Sequence, residues 1–300
     1  MIAALLLALA AATGSSSTGS STTEAPPFDI VHPESLARQA GQVAAAAPAV
    51  LESLTRSLGA PPLPPTTLYL ISPDSLELGG PDAGAMPDWA AGIALPSEDT
   101  VIIRVDRVGA WRQRQLIGVL AHETAHLLMY RAAGPGAASM PGWFREGVAA
   151  NLARDGEWLD FFYLWVSSIP SSPRPLADLS AGFGSGASPV MVRAAYAGSY
   201  SFVRHQLQAH SPALAARVLA GLRQGLEFDA AWSAATGASL AAAESAWAAS
   251  IRGRSRWAAI LTSAGTLWAV VTLMVVVAWL VKKRRGSRVM ERWEQEDPFE

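Results

Sequence analysis

The sequence predicts an α+β fold in which a small mixed sheet precedes a helical region and a single transmembrane helix closes the chain. Three observations carry the prediction. Short runs rich in β-branched and aromatic residues, Thr66 to Ser72, Trp89 to Leu95 and Thr100 to Val105, are bounded by Pro, Gly, Asp and Ser, as strands are. After Gly109 the apolar spacing turns helical and stays so to Arg252. Trp257 to Val281 then runs without one charged residue, which is the length and character of a membrane span.

The composition agrees. The 300 residues are 50% hydrophobic and only 16% charged, against about 25% charged in an average soluble chain, so part of the chain is expected in lipid. A net charge of -2 disfavours a nucleic-acid binder resting on a basic field. The absence of cysteine excludes disulfide scaffolds, thiolate zinc sites and cysteine nucleophiles.

Both ends explain the apolar excess. Ile2 to Ala12 has the length of a signal-peptide core, although no Lys or Arg precedes it, so residues 1–12 are expected to be a signal peptide. Residues 13–35, a Ser/Thr/Gly tract ending in Pro26-Pro27, read as a linker to a domain over 36–255. The span 257–281 is bracketed by tryptophans and stops at Lys282-Lys283-Arg284-Arg285. Six basic residues follow it against three just before, which places the tail 282–300 in the cytoplasm and the domain outside it.

Within the domain, Leu36 to Leu58 reads as an Ala/Leu-rich helix carrying Pro48 and stopping at Gly59. Pro61 to Pro65 forces an extended connector into the first strand. Gly79 to Pro87 reads as a loop between strands. The helical stretches expected next are Trp111 to Ala133, Trp143 to Arg154, Glu157 to Ser168 and Pro189 to Ala209, with a glycine-rich loop at Gly182 to Gly186 and shorter helices to Arg252.

The chemistry gathers in His122-Glu123-Thr124-Ala125-His126, an H-E-x-x-H pattern inside a helix. Histidines at i and i+4 share one helical face, so both imidazoles can address one Zn²⁺ while Glu123 reaches a water beside it. A bare histidine pair is more often a surface or packed feature. Here Trp143-Phe144-Arg145-Glu146-Gly147-Val148-Ala149 supplies a further carboxylate, Glu146, 20 residues beyond His126 on a second helix reached through a Gly/Pro turn. Two antiparallel helices joined by a short loop return that carboxylate to the histidines, completing a His₂Glu set with a position left for water.

In these two motifs, and in Ala195-Tyr196-Ala197-Gly198-Ser199-Tyr200-Ser201-Phe202-Val203, the sequence resembles the gluzincin metallopeptidases, in particular compact bacterial peptidase MA-like domains and the zinc aminopeptidases. The resemblance covers roughly residues 66 to 250. It implies a zincin-type catalytic region with His122, His126 and Glu146 as zinc ligands, Glu123 as general base, and Tyr196 as the donor that stabilises the oxyanion, with Tyr200 its rival on the same helix face. Where family members often carry an acidic partner four residues after the ligand glutamate, this chain has Ala150, with Asn151 beside it. The segment Gly84 to Trp89 is similar to the G-x-M-E-N segment that holds a substrate amine in zinc aminopeptidases, but Pro87 stands where their glutamate would be and Asp88 is a poor substitute. Endopeptidase action, or a restricted substrate, is therefore favoured over general aminopeptidase activity.

The activity implied is a membrane-anchored zinc peptidase acting on peptides or proteins, with zinc as cofactor and Glu123 moving the proton from water to the leaving amine. The run Trp89 to Leu95, at a sheet edge, would grip an extended peptide by main-chain pairing or else serve only as a structural strand. A catalytically inactive binding or scaffold module at the membrane is the alternative, and a hydrolase or assembly factor with a non-peptide target is a third reading.

Overall fold

The computed structural model describes residues 20–87, 89–108, 112–153, 173–184 and 186–262, together with 268, 271–279 and 282. It is an α+β structure: a mixed five-stranded sheet and a largely helical body. The chain divides into two compact units, one of residues 1–164 and 174–245 and one of residues 165–173 and 246–300. The first holds the sheet and the helices that position the site. The second contains the helical residues 271–279, whose Leu273 to Val277 and Trp279 are exposed.

The first two strands, β1 (Ser20–Ala25) and β2 (Phe28–Pro33), form an antiparallel hairpin in the segment read from the sequence as linker. Phe28, Ile30 and His32 of β2 alternate inward, and the His32 imidazole is satisfied by Thr23 Oγ1 at 3.0 Å and the Pro33 carbonyl at 2.9 Å. Helix α1 (Ala37–Leu58) then crosses over to β3 (Thr66–Ile71), which pairs parallel to β2. In α1, Ala40, Val43, Ala47, Leu54 and Leu58 are buried at helical spacing. Pro48 is accommodated inside the helix, which ends at Gly59 with φ of 59° and its N–H on the Thr55 carbonyl, a left-handed cap that suits glycine.

The expected loop at Gly79 to Pro87 is instead helical over most of its length. A 3-10 helix at Pro73–Gly79 opens with Ser72 and Ser75 bonding each other's backbone, and helix α2 (Gly80–Ala85) follows. Pro81 and Asp82 occupy its first turn, where a missing N–H costs nothing and a carboxylate is favourable. Ala83 and Met86 pack on Ile71 and Ile102, so burial overrides the glycines.

Strands β4 (Gly92–Leu95) and β5 (Thr100–Arg104) form the second antiparallel hairpin, and β5 pairs parallel to β3. The order β1-β2-β3-β5-β4 leaves β4 at an edge. β4 is shorter than expected because Trp89 to Ala91 lie in a turn: the Arg107 guanidinium donates to the Pro87 carbonyl at 2.6 Å and the Ala90 carbonyl at 2.9 Å. Helix α3 (Arg112–Ala133) packs on α1 and β4, and α4 (Gly142–Ala153) packs on α3. Among the described residues, α4 is followed in the first unit and into the second by α5 (Leu176–Ala181), α6 (Pro189–Ala209), α7 (Leu214–Arg223), α8 (Phe228–Thr236) and α9 (Leu240–Thr262).

Among the described residues no helix is long and apolar enough to cross a membrane. The expected span 257–281 falls in part, and the signal peptide 1–12 and the helix at Glu157 to Ser168 fall wholly, outside the described residues.

Candidate metal centre and active site

Helix α3 is buried on most of its circumference, through Leu116, Leu120, Ala121, Ala125, Leu127, Leu128 and Met129. Its partly open stripe runs through Val119, His122, His126 and Tyr130. The two histidines therefore face the same way one turn apart, their ring centroids separated by 4.9 Å.

Helix α4 brings the third donor. It is anchored by Trp143, whose ring meets Phe144, Phe202, Phe228 and Trp232 edge-on at 5.0 to 5.8 Å. Such edge-to-face contacts add specificity of orientation to the burial of large apolar area. Gly147 lets α4 approach α6 closely, because a Cβ there would lie 2.6 Å from the Ser199 carbonyl oxygen and 2.6 Å from Val203 Cγ2. Asn151 ties the same two helices, donating to the Gly147 carbonyl at 2.7 Å and the Tyr200 carbonyl at 3.0 Å. Its amide nitrogen is thus engaged in joining helices, and Ala150 is buried.

Glu146 Oε2 lies 3.3 Å from His122 Nε2 and 3.6 Å from His126 Nε2. Burial opposes ionisation of this carboxyl, but the His126 charge and the hydrogen bonds from both imidazoles outweigh it and hold the group well below the usual carboxylate range. His122, His126 and Glu146 present one ligand atom each, all within 4.8 Å of one another. Ligand bonds of about 2.0 to 2.2 Å in a tetrahedral site separate neighbouring donors by roughly 3.4 Å, so this donor set fits Zn²⁺ in both chemistry and spacing.

Glu123, next to His122, is buried, and edge strand β4 passes directly beside it. A Cβ on Gly92 would lie 2.7 Å from both Glu123 Cγ and Oε1. The glycine therefore makes room for this carboxylate under the strand.

The structure separates the two tyrosines of α6. The Tyr196 ring is 6.3 Å from the His122 ring, 5.9 Å from Trp89 and 5.0 Å from Phe183. The Tyr200 hydroxyl instead accepts from Arg204 at 2.8 Å, with the guanidinium 5.8 Å from its ring centroid. His122, His126 and Glu146 are thus brought together with Tyr196 at their side, while Asp88 lies outside the described residues. Gly92 and Phe183 were not anticipated as site residues. A glycine inside a strand pattern is a signal of close backbone approach; Phe183, between two loop glycines, offered none.

No curated protein matches the chain. A family model described as the Peptidase MA superfamily matches residues 45–253, which include α3, α4, α6 and every residue of the donor set. With more than half of its length so matched, and with the His-His-Glu group inside the match, the chain belongs to the Peptidase MA superfamily.

Proposed function

We propose that the protein is a zinc-dependent peptidase in which His122, His126 and Glu146 hold the metal and Glu123 is the general base. The observation that carries this reading is the convergence of the three donors beside a carboxylate covered by an edge strand. A bound zinc supplies an electrophile for the scissile carbonyl and lowers the pKa of water at the site. Glu123 takes the proton from the attacking water and returns it to the leaving amine. The Tyr196 hydroxyl donates to the oxygen that gains charge during the attack. Strand β4, which ends the sheet, aligns an extended peptide by main-chain pairing, and its Gly92 keeps the base close beneath that peptide.

Endopeptidase action is the better fit, because Pro87 occupies the place of the amine-binding glutamate and the β4 edge recognises backbone rather than a chain terminus. The charge-free stretch 257–281, the exposed apolar residues Leu273 to Val277 and the basic run from Lys282 to Arg285 support a single-pass anchor. With residues 1–12 as a leader, the peptidase domain faces away from the cytoplasm.

The test pairs metal content with turnover. Purified protein is expected to carry about one zinc, lost in His122→Ala, His126→Ala and Glu146→Ala and kept in Glu123→Gln, which loses hydrolysis of a peptide library. Zinc-free wild-type protein without turnover rejects the reading in favour of an inactive peptidase-like module, and Glu123→Gln with undiminished turnover rejects Glu123 as the base.

A further inference from the structure

We propose that Trp89, Tyr196 and Phe183 form a recognition wall for a planar apolar side chain of the substrate, at one of the residues flanking the scissile bond. The inference rests on the peptidase reading for the identity of the ligand as a peptide. Its structural basis is separate from the metal ligands.

Three aromatic residues from three distant parts of the chain meet here. Trp89 precedes β4, Phe183 follows α5, and Tyr196 lies on α6. Tyr196 is common to both ring contacts, Trp89 standing at 70° and 5.9 Å and Phe183 at 82° and 5.0 Å. The row begins at the metal centre, since the same Tyr196 ring lies 6.3 Å from His122. None of the three is buried as the rings around Trp143 are. Trp89 is 43% exposed, and Tyr196 and Phe183 are half-buried. Large aromatic surface left open beside a reaction centre is where substrate side chains find contact area, whereas a purely structural cluster closes on itself as the Trp143 cluster does.

The wall is held in place before any substrate arrives. Arg107 donates to the carbonyls of Pro87 and Ala90, on either side of Trp89, and the Ala90 N–H returns to the Pro87 carbonyl at 3.0 Å. Trp89 is therefore carried on a clamped turn rather than on a free loop, which reduces the ordering cost of binding. Two residues separate it from Gly92, so a peptide paired to β4 runs past the tryptophan as it passes Glu123. A Phe, Tyr or Trp side chain is the match, stacking or packing edge-on against the wall.

The experiment uses the full chain with zinc and a peptide series differing only at the two positions flanking one cleavable bond, with Phe, Leu, Ala, Asp or Lys at each. Equilibrium binding is read on Glu123→Gln protein and cleavage on the wild type. A Phe peptide is expected to bind about tenfold more tightly than its Ala counterpart at one of the two positions, the scale of discrimination that apolar pockets reach. Trp89→Ala in the Glu123→Gln background is expected to remove that preference, and Trp89→Phe to restore much of it. Arg107→Ala, acting through the turn, is expected to weaken the preference in the same direction. Equal affinity for Phe and Ala peptides, tighter binding of the Lys peptide, or a preference that survives Trp89→Ala overturns the wall. A preference that is present and Trp89-dependent while the wild type cleaves nothing sustains the wall and rejects the peptidase reading.

Discussion

Gly92→Ala is a one-atom test of how the base is positioned. The added methyl lands 2.7 Å from Glu123 Cγ and Oε1 and 3.0 Å from its Cδ. Carbon atoms prefer separations of about 3.5 to 4.0 Å, so either the carboxylate retreats by roughly 1 Å or the strand lifts by as much. The colliding group is the end of a flexible side chain, so the fold survives. A base displaced by about 1 Å costs on the order of 10² in rate, and kcat is expected to fall by about that factor. Overpacking of this kind costs about 1 to 3 kcal/mol, and the unfolding midpoint is expected to drop by about 2 to 4 °C for each of them. The alanine touches none of the three metal donors, so zinc content stays at the wild-type level. Turnover of a fluorogenic peptide, metal analysis and thermal unfolding on one preparation separate these effects. If Gly92→Ala turns over at the wild-type rate while Glu123→Gln is dead, β4 does not position the base.

Gly147→Ala meets backbone instead of a side chain, 2.6 Å from the Ser199 carbonyl oxygen, so α4 and α6 must part; a lower unfolding midpoint together with weaker zinc retention against a chelator is expected, and unchanged retention would show that this contact does not hold Glu146 in place. The Tyr196→Phe protein is expected to keep its zinc and fold while losing at least about tenfold in turnover, whereas Tyr200→Phe removes only a hydroxyl bonded to Arg204 and should lose much less; steady-state kinetics on both decide it. Asp106 is bound by Arg104 through two hydrogen bonds of 2.9 Å, and that pairing lowers its carboxyl pKa. A depressed folded-state value contributes stability that is present above the unfolded value of about 3.9 and is lost as pH falls through the folded one. Denaturant unfolding of Asp106→Asn should accordingly show a shallower loss of stability on acidification than wild type, and parallel curves would dismiss the pair.

Local signals made much of the molecule legible. The stripe of Ala40, Val43, Ala47, Leu54 and Leu58 and the stop at Gly59 identify α1 from spacing alone, and Pro189 to Ala209 matches α6 at both ends. His122, His126 and Glu146 were readable because a helix and a helical hairpin impose their geometry at short range. What escaped depends on distant partners. β1 is a Ser/Thr-rich edge strand with little apolar content, and β2 is a short alternation enclosed by prolines, so each is a strand only by virtue of the other and of β3. Helix α2 is glycine- and alanine-rich and forms because Ala83 and Met86 find Ile71 and Ile102. Trp89 and Ala90 leave the strand where Arg107 claims the Pro87 and Ala90 carbonyls.

The hairpin of β1 and β2 also fixes how much of the chain must fold as one. The superfamily match begins at residue 45, inside α1, and so excludes β2, which covers β3 from Phe28↔Thr66 to Val31↔Tyr69. Cutting the chain back to the matched segment would strip β3 of that neighbour and remove Ala40 and Val43 from the helix lying against α3. A parallel strand with a bare flank is a template for any other extended chain. The amino-terminal hairpin thus moves that margin of the sheet from the apolar β3 out to β1, a short Ser/Thr-rich strand that is a poorer template for aggregation, with β4 at the opposite margin.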